Sequence, residues 1–153
     1  MKLYRKNLQK IRDYVLEEMA MMMIEPVEGG DTPFLENEDF YLVRANYTGV
    51  FNGTLTVICQ TPFADLLPKN LLGLMPDETV EDADRLDAIK ELTNVISGNF
   101  LSDAFGEETV FDLPEFETGK VDYNTGMSAL NDEFIYCLGD GEPLGLSFEI
   151  KAD

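Results

Sequence analysis

Residues 79–106 read TVEDADRLDAIKELTNVISGNFLSDAFG, and this stretch decides the architecture. Thr79 followed by Asp82 has the form of a capping box, acids crowd the first turn and Gly106 offers a stop, which predicts a helix over about Val80 to Phe105. At about 100° per residue, Ile89, Leu92, Ile96 and Phe100 gather on one side. Asp87, Glu91 and Asn94 share the opposite ridge. Gly98 lies on that ridge too, one turn beyond Asn94, where a missing side chain lets another molecule's surface come close. The apolar stripe must be buried against other elements.

Working outward, Leu8, Ile11, Val15, Met19, Met22 and Met23 keep one helical face, and this first helix should end near Glu25-Pro26. Glu25 to Asn37 reads as a loop. Phe40 to Tyr47 is a strand, and a Thr48-Gly49 turn joins it to Val50–Cys59. There Phe51, Gly53, Leu55, Val57 and Cys59 alternate with Asn52, Thr54, Thr56 and Ile58, so the pair is a hairpin. Gly53 marks a bulge or a close backbone approach. Phe63 to Leu72 is a shorter helix closed by Gly73. Glu108 to Leu113 reads as a short strand ending at Pro114, and Val121 to Leu130 fits either helix or strand. Phe134 to Leu138, the Asp140-Gly141 turn and the alternation of Leu144, Leu146, Phe148 and Ile150 make a second hairpin.

Each half therefore runs from a long helix through an irregular stretch to a hairpin. The two helices align as Asp13, Glu17 and Ala20 against Asp87, Glu91 and Asn94. The fold expected is α/β (α+β): one domain over residues 1–153, built of two pseudo-symmetric helix-plus-hairpin halves of about 1–76 and 77–153. The two long helices pack on one face of a shared antiparallel-rich sheet, because neither half alone holds enough core.

Composition removes whole classes of function. Eleven Lys and Arg face thirty Asp and Glu, a formal net charge of −19, and the first twelve residues hold five of the bases and no acid. Nucleic acid and anionic membrane are poor partners for such a chain. Histidine is absent, which removes His-based acid–base catalysis, His triads and most zinc and non-haem iron sites. Cys59 and Cys137 sit in apolar runs without a CxxC pairing, as buried thiols do. The longest apolar run, Met19 to Ile24, is six residues, far short of a membrane span, so a soluble, cytoplasmic protein is expected.

Exposure alone would describe any solvated helix face. The residue pattern is more specific. Asp87, the run Glu91-Leu-Thr-Asn94-Val-Ile-Ser-Gly98-Asn99 and the downstream Leu113-Pro114 resemble the CheC/CheX/FliY family of chemotaxis phosphatases, which carries an acid or Ser, then Glu, then Asn three residues on, then a Pro. Gly49-Val-Phe-Asn-Gly53-Thr-Leu-Thr-Val, Phe63-Ala-Asp-Leu-Leu and Leu71-Leu-Gly73 are similar to the same family independently. Nineteen residues separate Asn94 from Pro114, a shorter connection than the family's. Ala20 stands where a second Asn would be, so the chain resembles the single-site CheX type.

The resemblance implies a phosphatase acting on the aspartyl phosphate of a CheY-like response-regulator receiver. Glu91 and Asn94 would be the catalytic pair, with Asp87, Gly98 and Pro114 in the docking surface. Asn94 would orient the attacking water, and Glu91 would engage the receiver's lysine. No cofactor need be bound by this chain, since the receiver brings its own Mg²⁺; the type also implies a homodimer.

The same ridge could serve a catalytically silent module that binds a receiver or a flagellar-switch component, and the Asn, which has no task in mere docking, favours catalysis. A calcium site at Asp82, Asp84 and Asp87 is disfavoured because helical geometry spreads the three and no EF-hand loop exists. The Gly139–Gly145 cluster is a hairpin turn rather than a phosphate loop.

Overall fold

The computed structural model describes residues 4–28 and 32–151, so residues 29–31 of the expected loop lie outside it. Its elements are α1 (Arg5–Glu18), β1 (Ile24–Pro26), β2 (Phe40–Tyr47), β3 (Asn52–Gln60), α2 (Thr61–Leu72), α3 (Asp82–Phe105), β4 (Glu115–Val121), α4 (Tyr123–Ala129), β5 (Ile135–Gly139) and β6 (Glu142–Lys151). The six strands form one antiparallel sheet in the order β1-β5-β6-β3-β2-β4. Exchanging β1 with β4, β2 with β5 and β3 with β6 maps this order onto its own reverse. The two central strands, β3 and β6, pair from Asn52–Lys151 to Cys59–Leu144.

The long helices lie together on one face, as their apolar stripes require. Leu8, Ile11 and Val15 of α1 and Ile89, Leu92, Ile96 and Phe100 of α3 pack with Tyr41, Val43, Leu55, Val57, Leu146 and Phe148 in one buried cluster. Each such side chain contributes about 1.5–3 kcal/mol on full burial. Lys10 and Asn7 donate to the Asp103 carboxylate at 2.8 and 2.9 Å, tying α1 to α3. The second face is covered in part by α4, with Phe34, Phe40, Leu42, Ile58 and Phe134 forming a smaller core. Gly126 of α4 is buried against the Phe40 ring, and this close approach requires the missing Cβ.

Four sequence expectations are corrected. The first helix stops at Glu18 rather than near Glu25, although Met22 is buried as its helical spacing suggested. Met21 adopts φ 53°, the Ala20 carbonyl accepts from Asn70 Nδ2 at 2.9 Å, and Met23 exchanges hydrogen bonds with Asp140. These bonds drop the chain from the helical layer to the sheet edge. Glu25 and Pro26, expected in a loop, therefore belong to β1, where an edge strand tolerates proline.

The capping box of α3 is formed by Glu81 and Asp84, not Thr79 and Asp82. Asp82 instead accepts from Tyr41 and Arg85. Glu108 to Leu113 is no strand; only Phe111 bridges to Gly49, and the strand begins after Pro114. Val121–Leu130, left open by its pattern, is mostly the short helix α4, capped by the Asp122 carboxylate. Of the two readings of Gly53, the close approach holds and the bulge does not: it pairs in register with Tyr47 and Ile150, and a Cβ there would stand 2.9 Å from the Phe148 ring. No helix among the described residues is long and apolar enough to cross a membrane.

Candidate functional site

α3 presents the site because its inward face is so heavily committed. Ala88, Ile89, Leu92, Ile96 and Phe100 are inaccessible, and the two polar residues on that face are satisfied within the helix. Thr93 Oγ1 donates to the Ile89 carbonyl and Ser97 Oγ to the Thr93 carbonyl, each at 2.7 Å. At the helix N-terminus, Tyr41 donates to Asp82 at 2.6 Å and Arg85 bonds both Asp82 and Asp65. The Tyr41 hydroxyl, and after it Arg85, holds the Asp82 carboxyl below the usual carboxylate range. These contacts fix how α3 is rotated, and Asp87, Glu91, Asn94 and Gly98 consequently face solvent.

A second wall stands beside this ridge. The Thr48 carbonyl accepts from the Asp112 amide at 2.9 Å, and Thr48 Oγ1 donates to the Asp112 carboxylate at 3.1 Å. The segment after α3 is thereby pinned to the β2–β3 turn. Phe116, in register with Ala45 on β2, then brings Leu113 and Pro114 alongside the helix. Between the two walls runs an open groove of about 480 Å³ lined by Asp87, Lys90, Glu91, Asn94, Leu113, Pro114 and Phe116.

Four of the five residues singled out from sequence thus share one groove, although Pro114 follows Asn94 by twenty positions. Gly98 stands outside the lining, further along the ridge, with nothing within 4 Å of where a Cβ would be. Three further residues line the groove that were not among the expected site residues. Lys90 was legible on the helical wheel, roughly 40° from Asn94. Leu113 enters the sequence pattern only as the neighbour of Pro114. Phe116 belongs to a strand whose position the pattern misplaced. Lys90 Nζ lies 5.0 Å from the centroid of the Phe116 ring, and Leu113 is 92% exposed.

The acids of the discounted calcium site serve separate ends: Asp82 in the Tyr41–Arg85 network, Asp84 in the helix cap and Asp87 on the groove. Chemically the groove offers two carboxylates, one amide able to donate and accept, one ammonium and an apolar lip.

Comparison with known proteins gives this groove a context. No curated protein sequence matches the chain significantly. Among solved structures, the chemotaxis protein CheX from Desulfovibrio desulfuricans is 19% identical, with a TM-score of 0.65 over 97% of this chain and 99% of that one. CheX in the CheX–CheY–BeF3–Mg complex from Borrelia burgdorferi is 17% identical, with a TM-score of 0.67 over 97% and 98%. FliY from Thermotoga maritima is 17% identical, with a TM-score of 0.58 over 95% and 85%. The model of the family described as chemotaxis phosphatase CheX matches residues 41–131, a span that contains Asp87, Glu91, Asn94, Gly98 and Pro114. With that span covering more than half of the sequence and the fold agreeing over nearly all of it, the chain belongs to the CheX family of chemotaxis phosphatases.

Proposed function

We propose that this chain hydrolyses the aspartyl phosphate of a CheY-like receiver, with Glu91 and Asn94 entering the receiver's active site. The observation that carries the reading is the exposed Glu91–Asn94 ridge facing Pro114 across an open groove, within the span matched by the phosphatase family. A fold neighbour has been solved together with CheY, BeF3 and Mg²⁺, which supports a receiver as the partner here.

The chemistry is undemanding of this protein. Water attacks phosphorus in line, the bond to the aspartyl oxygen breaks, and inorganic phosphate and a free carboxylate result. Positioning and charge stabilisation supply most of the acceleration of such a step. The Asn94 amide accepts one hydrogen bond from the water and donates another, and it does not titrate. Glu91, about one helical turn away, takes the receiver's lysine and sets the docking register. Asp87, Gly98 and Pro114 complete the contact surface, Gly98 because open space lies above it. Mg²⁺ arrives with the receiver, so no cofactor belongs to this chain.

The protein works in the cytoplasm, where receivers are phosphorylated, as one unit over its whole length. The sheet edges at β1 and β4 allow a homodimer by strand pairing. The test is loss of aspartyl phosphate from CheY-like receivers with and without this protein. Accelerated loss that disappears in Asn94→Ala is the expected result. Binding without acceleration would instead identify a catalytically silent module.

A further inference from the structure

Lys90 stands apart from the rest of the ridge. Asp87 and Glu91 flank it in sequence, yet among the described residues no carboxylate lies within ion-pairing distance of its ammonium. The side chain reaches instead to the facing wall, with Nζ 5.0 Å from the Phe116 centroid. It is the one cation lining the groove among the described residues, in a chain whose acids outnumber its bases thirty to eleven. The apolar lip of the same groove is open: Leu113 is 92% exposed.

Two consequences follow from elementary electrostatics. A groove carrying only Asp87 and Glu91 would repel an anionic partner, and a phosphorylated receiver is anionic where it docks. An ammonium resting on an aromatic face is also held in place, so little freedom is lost when it takes a counter-charge. Its place matters as well. Lys90 stands about 40° around the helix from Asn94, on the side away from Glu91, and its ammonium is turned toward Phe116 rather than over the point where Asn94 would order water.

We propose that Lys90 is a specificity-determining residue: its ammonium pairs with a carboxylate on the rim of the receiver's phosphorylation cleft, while Leu113 and Pro114 seat an apolar side chain beside that acid. The inference deepens the reading above and rests on it. It selects, among receivers sharing the same phosphoaspartate chemistry, those with an acid next to an apolar residue at that rim.

The experiment compares wild type with Lys90→Gln, Lys90→Glu and Lys90→Arg, all at an exposed position. Affinity is measured for a beryllofluoride-activated CheY-like receiver, and kcat and KM for the same receiver phosphorylated with acetyl phosphate, each at low and high salt. Lys90→Gln should raise Kd and KM about five-fold with kcat unchanged, Lys90→Glu should raise them further, and Lys90→Arg should behave as wild type. High salt should shrink these differences. Changing the paired receiver acid to Lys should restore binding by Lys90→Glu. Unaltered Kd in Lys90→Gln and Lys90→Glu would overturn the proposal, and so would a fall in kcat at constant KM, which would place Lys90 on the phosphoryl group. Wild-type binding without turnover would remove the phosphatase reading and leave the Lys90 result standing on affinity alone. Failure of the wild type to bind any receiver would sink both.

Discussion

The Tyr47 hydroxyl lies 2.5 Å from Ser97 Oγ, joining the end of β2 to the inward face of α3. Because Ser97 donates its own proton to the Thr93 carbonyl, Tyr47 is the donor in this pair. The bond sits one helical turn from Asn94, about 60° around the axis on the adjoining buried face, and helps fix which ridge faces the groove. Removing either partner should have unequal effects. Ser97→Ala orphans a buried hydroxyl and should cost about 1–3 kcal/mol, whereas Tyr47→Phe leaves Ser97 bonded to Thr93 and should cost about 0.5–1.5 kcal/mol. Urea unfolding of the two variants measures the difference.

Asn94→Ala should lower receiver dephosphorylation about 100-fold, the scale seen when one transition-state hydrogen bond is lost, with little change in receiver affinity. Stability should move by no more than about 0.5 kcal/mol, since the side chain is exposed. Glu91→Ala should weaken docking as well as turnover, and added salt should narrow its gap from wild type. Titration with activated receiver beside steady-state kinetics distinguishes the two behaviours.

Gly126→Ala opposes two effects of different size. Replacing a helical glycine gains up to about 1 kcal/mol. The new methyl would overlap the Phe40 ring, which is enclosed by Tyr123 and Phe34, and overpacking costs about 1–3 kcal/mol. Net destabilisation is therefore expected, with a lower urea midpoint and loosened packing of α4.

Asp82 should contribute to acid sensitivity. Its carboxyl titrates below the ordinary range when folded, chiefly through the Tyr41 hydroxyl and then Arg85. The stability it confers is thus present above the unfolded value of about 3.9 and is lost as pH falls through the lower folded value. Asp82→Asn should melt earlier than wild type at neutral pH, and the two midpoints should converge at strongly acid pH.

Both thiols should be inert in the folded protein. Burial pushes Cys137 up to about 11 and Cys59 higher still, so almost no thiolate exists near neutrality. A disulfide reagent at pH 8 should label neither in the native state and both after denaturation. Rapid labelling without denaturant would show that the core opens.

The apolar spacing of α3 fixes its buried face, and with it the outward ridge of Asp87, Glu91 and Asn94, independently of any tertiary contact. The hairpins were equally legible: alternation determined which side chains of β3 and β6 face the helices, and the Asp140-Gly141 turn, with φ of 49° and 83°, is of the kind such a dipeptide favours. The end of α1 was not. Met22 is buried whether helical or not, and only the Asn70 and Asp140 contacts, about fifty and 117 residues away, select the non-helical path.

The groove itself shows the same division. Local periodicity is a property of a few neighbouring residues, so the sequence by itself determined that Glu91 and Asn94 share a ridge and that Gly98 leaves it open. What stands opposite depends on where a distant segment is anchored. The Thr48–Asp112 bonds and the pairing of Phe116 with Ala45 decided that Pro114, Leu113 and Phe116 form the other wall, and that the Lys90 ammonium rests over the Phe116 ring. Those contacts join residues far apart in the chain, and their energies exist only once the sheet has brought both partners together.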